Sequence, residues 1–292
     1  MPVLISRRLL LIRVLLAAPA LALAKAFAQA NSDDIRAALS DLEKTHGGRL
    51  GVCVLNLATG RRVEHRADER FAMCSTHKFL AAGFALQRVD QGRDSLGRRI
   101  SYSKDDLVTY SPTTEKHLGD GMTLGELCEA ALTLSDNTAA NLILDSLGGP
   151  AGFTSRARAL GDDVTRLDRI EPALNEAKPD DPRDTTTPAA MAENVRKLVL
   201  GDALSAPSRD RLASWIVANT TGDKRLRAGI PRDWRVGDKT GSGGNSQTND
   251  IAVVWPPDRG PLIVTAFHAM SPTSDDERER VFAELGRLAV GI

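Results

Sequence analysis

The chain has 292 residues, 42% of them hydrophobic, and its 38 basic and 38 acidic side chains give a formal net charge of zero. A chain of this length and composition can bury a substantial core, which argues against an intrinsically disordered protein. The balanced charge offers no excess of cations for phosphate contacts, which argues against nucleic-acid binding.

The first thirty residues have the composition of an export signal. They contain four basic and no acidic side chains, and residues 14–24 are uncharged and rich in Leu and Ala. This stretch is shorter than the roughly 20 apolar residues of a membrane-spanning helix, and a small-x-small pattern follows at residues 26–28. We predict a signal peptide over residues 1–28, cleaved near 28–30, and a mature protein that is periplasmic or secreted and does not contact a membrane. Adjacent arginines at 7 and 8 leave the general and twin-arginine export routes open.

The next segments predict a helix, a strand, a turn and a second strand. An amphipathic stretch runs from Asp33 to Thr45, the apolar run Leu50–Leu55 follows, and Arg62–Arg66 comes after a turn that contains Gly60. From Met73 to Trp215 the chain is rich in Ala and Leu and has few β-type runs, so a helical block is expected there.

The C-terminal part contains three β-type runs, Val236–Ser242, Asp250–Trp255 and Leu262–Phe267, separated by Gly-rich and Pro-rich turns. They predict an antiparallel meander, and apolar spacing from Asp275 to Leu288 predicts a terminal helix. Because strands come from both chain ends, we expect an α/β fold. It would have an antiparallel sheet built from both ends and flanked by helices, with an inserted, mostly helical lobe over about residues 73–215.

No arrangement typical of a metal or nucleotide site is present in the sequence. The five histidines are dispersed, and no His-Glu-x-x-His, Cys-x-x-Cys, Walker, Gly-x-Gly-x-x-Gly or Gly-x-Ser-x-Gly motif occurs. We therefore expect no metal and no cofactor, and neither nucleotide binding nor α/β-hydrolase chemistry.

The motif Ser-x-x-Lys occurs twice, at Ser75–Lys78 and at Ser101–Lys104. The second copy lies in a polar segment and predicts a solvated loop. The first copy runs into residues 79–86, which are apolar on every face and predict a buried helix. Ser75 would then lie at the helix N-terminus near unpaired backbone N–H groups, and Lys78 would lie one turn further on the same face.

A lysine beside a buried helix becomes a usable base near neutral pH when it is paired or shares its proton. The alternative from this motif alone is that Ser75 caps the helix and Lys78 extends to solvent. The other polar motifs have equally ordinary alternatives. Ser135-Asp136-Asn137 could be a helix cap, and Lys239-Thr240-Gly241 could be a charged strand end.

Together and in this order, the three motifs resemble those of the penicillin-recognising serine enzymes, which include class A β-lactamases and penicillin-binding proteins. Glu171 and Asn175 resemble the pair that positions the hydrolytic water in class A enzymes, a pair that penicillin-binding proteins generally lack. The resemblance extends from about Asp33 to the C-terminus. It implies a class A serine β-lactamase that hydrolyses penicillins and cephalosporins and so gives antibiotic resistance. Residues 29–292 would form one catalytic domain, with the active site between the sheet and the helical lobe.

The resemblance implies covalent catalysis. Ser75 would attack the lactam carbonyl to form an acyl-enzyme, and its proton would be taken either by Lys78 or, through water, by Glu171; both assignments remain open. Ser135 would relay a proton to the departing ring nitrogen. Glu171 and Asn175 would activate the water that releases the product.

Substrate binding is implied in the same way. Asn137 would bind the acylamide side chain, and the backbone N–H groups of Ser75 and Ser242 would form the oxyanion hole. Many relatives carry a second cation for the substrate carboxylate where this chain has Thr248, and Arg225 is the expected substitute. The expected substrate-binding residues are Asn137, Lys239, Thr240, Gly241, Ser242, Arg225 and Tyr110, the last at the rim.

Several structural features are also expected from the resemblance. Arg169 and Asp184 would form an ion pair that closes the Ω-type loop carrying Glu171. The bond from Glu171 to the proline after it would be cis. Asp136 is expected to be structural, and His77, an unusual residue beside the nucleophile, to be a packed helix residue.

The three cysteines, Cys53, Cys74 and Cys128, are expected to be unpaired. Cys74 precedes the nucleophile as it does in several carbapenem-hydrolysing relatives, but Gly243 stands where its disulfide partner would be. Ala82 stands where the partner of Cys128 would be. Carbapenem hydrolysis therefore stays open.

Two other functions use the same serine and lysine, a cell-wall transpeptidase or carboxypeptidase and a penicillin-sensing receptor domain that stays acylated. Both should lack an effective deacylating carboxylate, so Glu171 and Asn175 argue against them, and a receptor would also need a transmembrane segment. The expected partners are β-lactam substrates and mechanism-based inhibitors, with no nucleic acid, and the mature protein is expected to be a monomer.

Overall fold

The computed structural model describes residues 32–292. In chain order its strands are β1 Arg49–Asn56, β2 Arg62–His65, β3 Phe71–Ala72, β4 Arg99–Ile100, β5 Met122–Thr123, β6 Thr185–Thr186, β7 Arg235–Ser242, β8 Thr248–Trp255 and β9 Leu262–Ala269. Its α-helices are α1 over residues 32–46, α2 His77–Asp90, α3 Leu124–Thr133, α4 Asn137–Leu147, α5 Gly149–Ala159, α6 Pro188–Val195, α7 Ala206–Val217, α8 Leu226–Gly229 and α9 Asp275–Val290. Helix α6 continues into a π-helical turn, Arg196–Leu200.

The main sheet has five antiparallel strands in the order β2-β1-β9-β8-β7. Strand β1 pairs with β9 in a register that places Val54 opposite Val264, which joins the two ends of the chain. The remaining strands, β3 with β6 and β4 with β5, form two small antiparallel ladders. The predicted fold, a sheet assembled from both chain ends and interrupted by helices, is confirmed.

The two faces of the sheet pack against different helices because successive residues of a strand point to opposite sides. Val52 and Val54 of β1 belong to the cluster that includes Leu39 of α1 and Phe282 of α9. Cys53 and Leu55, one residue along in each case, belong to the larger cluster formed with the helical block. The sheet is therefore covered by terminal helices on one face and by the block on the other.

Helix α2 lies inside the helical block. Its residues 77–86 are all buried, as the apolar sequence on every face predicts. Phe84 of α2 meets Phe153 of α5 edge to face at 5.2 Å between ring centroids. This packing on all sides fixes the position of the turn that precedes α2, and with it Ser75.

Most predicted elements are confirmed with ends that differ by a few residues, but the second Ser-x-x-Lys segment is not a plain loop. Lys104–Asp106 forms a 3-10 turn with a capping box between Ser103 and Asp106. Tyr102 is buried and donates from its hydroxyl to the carbonyl oxygen of Thr114 at 2.8 Å. The serine and lysine of this copy are exposed, as predicted.

The predicted signal peptide over residues 1–28 lies outside the described residues. Over residues 32–292, no helix combines the length and the apolar character needed to cross a membrane.

Candidate active site

Ser75 lies in the 3-10 turn Cys74–Thr76 that leads into α2. Cys74 has a φ of 45°, in the left-handed region that non-glycine residues rarely adopt. The N-cap of α2 is Thr76, so the alternative that Ser75 caps the helix is wrong. The Ser75 hydroxyl instead contacts Lys78 and Glu171.

The end of β7 packs directly against this turn. A Cβ atom on Gly241 would lie 2.8 Å from the carbonyl oxygen of Met73, closer than real contacts allow. Asn249 of β8 donates from its Nδ2 to the same oxygen at 2.8 Å. The glycine therefore lets the strand lie beside the nucleophile without a side chain between them.

Lys78 is fully buried among oxygen atoms. Its Nζ lies 3.0 Å from Ser75 Oγ, 2.8 Å from the carbonyl oxygen of Ser135, 2.5 Å from Asn137 Oδ1 and 3.1 Å from Glu171 Oε1. Burial lowers the pKa of Lys78, and the opposing charge of Glu171 only partly offsets this. The alternative of a lysine that extends to solvent is wrong, and the lowered pKa suits proton exchange nearer neutral pH.

Glu171 is a second acid-base group beside the nucleophile, because Ser75 Oγ lies 3.4 Å from its Oε1. Burial raises the pKa of Glu171, but the charge of Lys78 and hydrogen bonds from Lys78 and Asn175 outweigh it, so the pKa lies below its ordinary value. Asn175 donates from Nδ2 to Glu171 Oε2. The carboxylate is therefore ionised at neutral pH and held towards Ser75.

The loop that carries Glu171 is closed at its base as predicted. Arg169 Nε and Asp184 Oδ2 form an ion pair at 2.6 Å. The other oxygen of Asp184 accepts hydrogen bonds from the backbone N–H groups of Asp168 and Arg169 at 2.7 and 2.9 Å. The bond between Glu171 and Pro172 is cis, which confirms that prediction.

Asn141 of α4 holds the backbone of Glu171 from the other side, a contact that the sequence did not predict. Its Oδ1 accepts from the N–H of Glu171 and its Nδ2 donates to the carbonyl oxygen of Glu171, both at 2.9 Å. Asn141 is four residues after Asn137, so both amides lie on the same face of α4. That spacing was the only available signal.

Ser135 lies between the two lysines of the site. Its Oγ is 3.0 Å from Lys239 Nζ and 3.3 Å from Lys78 Nζ. An ammonium group can only donate, so the Ser135 oxygen accepts from the lysines and its own proton remains available. Its φ of 60° is also left-handed, which fits the tendency of backbone strain to occur at functional sites.

Asp136 is fully buried and has a structural role, because its carboxylate binds backbone N–H groups of two segments. It caps α4 by accepting from the N–H of Ala139 at 2.9 Å, and it accepts from the N–H groups of Thr113 and Thr114 at 2.9 Å each. Asn137, next in the chain, donates from Nδ2 to the carbonyl oxygen of Thr109 at 2.8 Å. Ser135 and Asn137 of the motif thus point into the cleft, and the contacts of Asp136 and Asn137 connect the rim segment, residues 109–114, to α4.

The far wall of the cleft is cationic. Lys239 is fully buried, and its pKa lies well below the ordinary value because of burial and the charge of Lys78. Arg225 is almost completely buried, and it donates to the carbonyl oxygen of Gly241 at 2.9 Å and to Ser242 Oγ at 2.7 Å. Burial also lowers the pKa of Arg225. The structure therefore places the predicted second cation directly beneath Ser242.

The cleft has a volume of about 290 Å³. Tyr110 stands at its rim, 58% exposed and with a φ of 68°. Thr221, which the sequence did not single out, also contributes to the wall, and its hydroxyl lies 2.5 Å from that of Thr240. The cleft is lined by Ser75, Tyr110, Ser135, Asn137, Asn175, Thr221, Arg225, Thr240, Gly241 and Ser242.

The cysteine and histidine near the nucleophile are both packed residues. All three cysteines are unpaired and buried, as predicted. A Cβ atom on Gly243 would lie 2.6 Å from Cys74 Sγ, so the two positions do face each other. His77 is fully buried, and its Nδ1 donates to the carbonyl oxygen of Cys74 at 2.8 Å.

Comparison with known proteins identifies the family of the chain. The family model described as "Beta-lactamase enzyme family" matches residues 33–292. The chain is 48% identical to Beta-lactamase OXY-2 of Klebsiella oxytoca over 95% of this chain and 96% of the relative, and 48% identical to Beta-lactamase CTX-M-25 of Escherichia coli over 89% of each. The solved structure titled "Ancestral (GNCA) Beta-lactamase class A" superposes with a TM-score of 0.87 at 65% identity, covering 88% of this chain and 98% of that one. The chain therefore belongs to the beta-lactamase enzyme family and is a class A β-lactamase.

Proposed function

We propose that this β-lactamase opens penicillins and cephalosporins through an acyl-enzyme on Ser75 and releases the product with water activated by Glu171. The observation that carries the proposal is the buried triangle of Ser75, Lys78 and Glu171, whose three contacts are 3.0, 3.1 and 3.4 Å. A nucleophile needs a base within hydrogen-bond reach, and here two groups satisfy that geometry.

In the acylation step, Ser75 Oγ bonds to the lactam carbonyl carbon while its proton passes to Lys78 or, through water, to Glu171. Lys78 accepts as the neutral amine, a form that its lowered pKa makes accessible, and Glu171 accepts as the ionised carboxylate. The backbone N–H groups of Ser75 and Ser242 donate to the developing oxyanion. Their fit is supported by the close approach of β7 to the nucleophile turn at Gly241.

The ring nitrogen leaves with a proton from Ser135. Both neighbours of Ser135 Oγ, Lys78 and Lys239, are donors, so the serine proton is directed away from them and towards the cleft. Lys78 then replaces it with the proton that left Ser75, taken up directly or passed on from Glu171 at 3.1 Å, so that Glu171 is ionised again before deacylation. Asn137 donates its second amide proton to the acylamide side chain of the substrate.

Deacylation uses Glu171 as the base for an attacking water. Asn175 binds the carboxylate through Nδ2, while its Oδ1 is buried and has no hydrogen-bond partner within residues 32–292. That oxygen is therefore available to accept from a water that donates its other proton to Glu171. A water oriented by two acceptors attacks the ester carbonyl, and the proton returns to Ser75 Oγ as the bond breaks.

Lys239, Thr240, Ser242 and Arg225 bind the substrate carboxylate. Two buried cations on one wall are costly without an anion, and a β-lactam carboxylate supplies one. Arg225 acts through the Ser242 hydroxyl, which it contacts at 2.7 Å. Thr248, the position where many relatives carry the cation, instead accepts from Arg278 Nε at 3.0 Å.

The proposal also covers the processing, location and oligomeric state of the protein. Residues 1–28 would be a signal peptide, removed on export to the periplasm or outside the cell, and residues 29–292 would act as one catalytic domain and as a monomer.

A turnover assay with nitrocefin tests the proposal. We expect colour to develop far beyond one equivalent per enzyme, because Glu171 releases the acyl group. A burst that stops at one equivalent would contradict the deacylation role and favour an enzyme that stays acylated.

A further inference from the structure

A second recess lies at the end of α2 opposite the nucleophile. It has a volume of about 660 Å³, and its charged lining residues are Arg88, Arg93, Asp94, Arg98 and Asp145. The 14 residues of α2 separate it from the catalytic turn by about 20 Å at 1.5 Å per residue. The recess is therefore no part of the catalytic cleft.

Arginine side chains outnumber carboxylates in this recess. Asp94, whose side chain is only 3% exposed, pairs with Arg98 at 2.6 Å and with Arg88 at 3.5 Å. Arg156 of α5 lies close enough that the charges of Arg88 and Arg93 add to burial in lowering its pKa. We call the recess lined by Arg88, Arg93 and Arg98, together with the adjoining Arg156, the arginine recess.

Two of these guanidinium groups have no protein acceptor. Within the described part of the chain, the side chains of Arg93 and Arg156 donate to no protein oxygen, and neither belongs to an ion pair. The buried Nε of Arg156 also lacks a hydrogen-bond partner among these residues, and the Nε of Arg88 has only its 3.5 Å ion-pair contact with Asp94. Like charges at close range repel each other, and buried donors without acceptors are rare in folded proteins.

We propose that the arginine recess binds a phosphate-type oxyanion, either free or carried by a larger molecule. The three arginines that line the recess exceed the carboxylates Asp94 and Asp145 by one, and the adjoining Arg156 brings the local excess to two positive charges. A phosphate monoester carries about −1.5 to −2 at neutral pH, which matches that charge. The planar guanidinium fork also fits two phosphate oxygens at once.

The arrangement of the recess suits this ligand. Asp94 holds Arg98 through two contacts, at 2.6 and 2.9 Å, so the edge of that guanidinium is fixed before a ligand arrives. Arg98 also donates to Ser146 Oγ at 3.0 Å. Arg93 is exposed on the outer side and can close over an anion. The exposed side leaves room for whatever group carries the phosphate.

The first test measures the apparent melting temperature of the full mature enzyme in inorganic phosphate, with chloride used to keep ionic strength constant. At ten times the dissociation constant, we expect a rise of about 3 °C. The variant Arg93→Ala/Arg156→Ala should lose this rise. The matched variant Arg211→Ala/Arg280→Ala removes two exposed arginines outside the recess and should keep it.

The second test distinguishes the source of the phosphate by sedimentation with phosphatidylcholine vesicles, with and without phosphatidic acid. Retention that requires phosphatidic acid and is lost in Arg93→Ala/Arg156→Ala supports a lipid-borne phosphate, even without a response to free phosphate. A melting response without retention supports a small ligand. The proposal is overturned if neither probe binds, or if this variant responds to the probes as the parent does. Nitrocefin hydrolysis by Arg93→Ala/Arg156→Ala should stay at the parent rate, which separates this test from that of the catalytic proposal.

Discussion

The buried His77 should make the enzyme acid-sensitive in a way that one substitution removes. Burial lowers the pKa of His77 from 6.5 to about 4. In the unfolded chain the ring is protonated below pH 6.5, whereas in the folded chain it stays neutral until about pH 4. The folded state therefore binds fewer protons in this window, and stability falls as pH falls from 6.5 towards 4.

The size of the effect follows from the two pKa values. Each unit of pKa is worth about 1.4 kcal/mol, so the full loss below pH 4 is about 3 kcal/mol, and about 2 kcal/mol is already lost between pH 7 and 5. His77→Phe keeps an aromatic ring near Phe153, whose centroid is 6.4 Å away, and cannot be protonated. It also removes the bond from Nδ1 to Cys74, which should lower stability by about 1 kcal/mol at every pH.

The assay is urea unfolding at pH 7 and pH 5 for the parent, for His77→Phe and for His117→Gln, which replaces an exposed histidine. We expect the parent and His117→Gln to lose about 2 kcal/mol more than His77→Phe over this interval. His77→Leu provides a second variant that cannot titrate if the larger ring does not fit. If the three proteins lose the same free energy, the reasoning about His77 is refuted.

Three further predictions concern the cleft. Arg225→Ala should raise KM about tenfold or more for substrates with a free carboxylate, because a charge-assisted contact is lost. KM for the corresponding methyl esters should stay nearly unchanged. Equal changes for both would contradict the assignment of Arg225 to the substrate carboxylate. Asn141→Ala should slow deacylation about tenfold, and slow it more than acylation, because the backbone of Glu171 loses two hydrogen bonds and only deacylation depends on Glu171 alone. Rapid-quench measurement of the two steps checks this, and slowing of acylation alone would oppose it. Gly243→Cys should form a disulfide with Cys74, because the added Cβ would lie against Cys74 Sγ; the carbonyl oxygen of Asn175, 2.7 Å from that Cβ, must move aside to admit it. Thiol titration under denaturing conditions should then find two free thiols among the four cysteines of the variant, where the parent has three, and four would show that the positions cannot pair.

The elements bounded by clear turn or polar signals could be predicted from the sequence. The β-type runs between Gly-rich and Pro-rich turns correspond to β7, β8 and β9, and the uninterrupted apolar segment corresponds to α2, so the type and position of these elements agree with the structure. The 3-10 turn Lys104–Asp106 was missed although a capping box of Ser103 and Asp106 was available as a signal. Polarity alone does not distinguish a turn of this kind from a loop.

Contacts between distant segments could not be predicted from residue type. Asn141 binds the backbone of a residue 30 positions away, and only its spacing of four from Asn137 separates it from an exposed helical asparagine. Thr221 meets Thr240 across 19 positions for the same reason. The motif residues were located because their order resembles a family, whereas these partners depend on how the helical block and the sheet are docked.

The central claim is that Glu171 separates hydrolysis from acylation. Acylation has Lys78 and the oxyanion hole to support it, but an attacking water is a poor nucleophile without a base. The measurement is intact mass after mixing with benzylpenicillin, on Glu171→Ala, on Ser75→Ala and on Asp180→Asn, which removes a carboxylate from an exposed part of the same loop. We predict that Glu171→Ala carries one opened drug molecule long after the parent and Asp180→Asn have returned to the free mass, and that Ser75→Ala carries none. Turnover by Glu171→Ala near the parent rate, without a persistent adduct, would contradict the account.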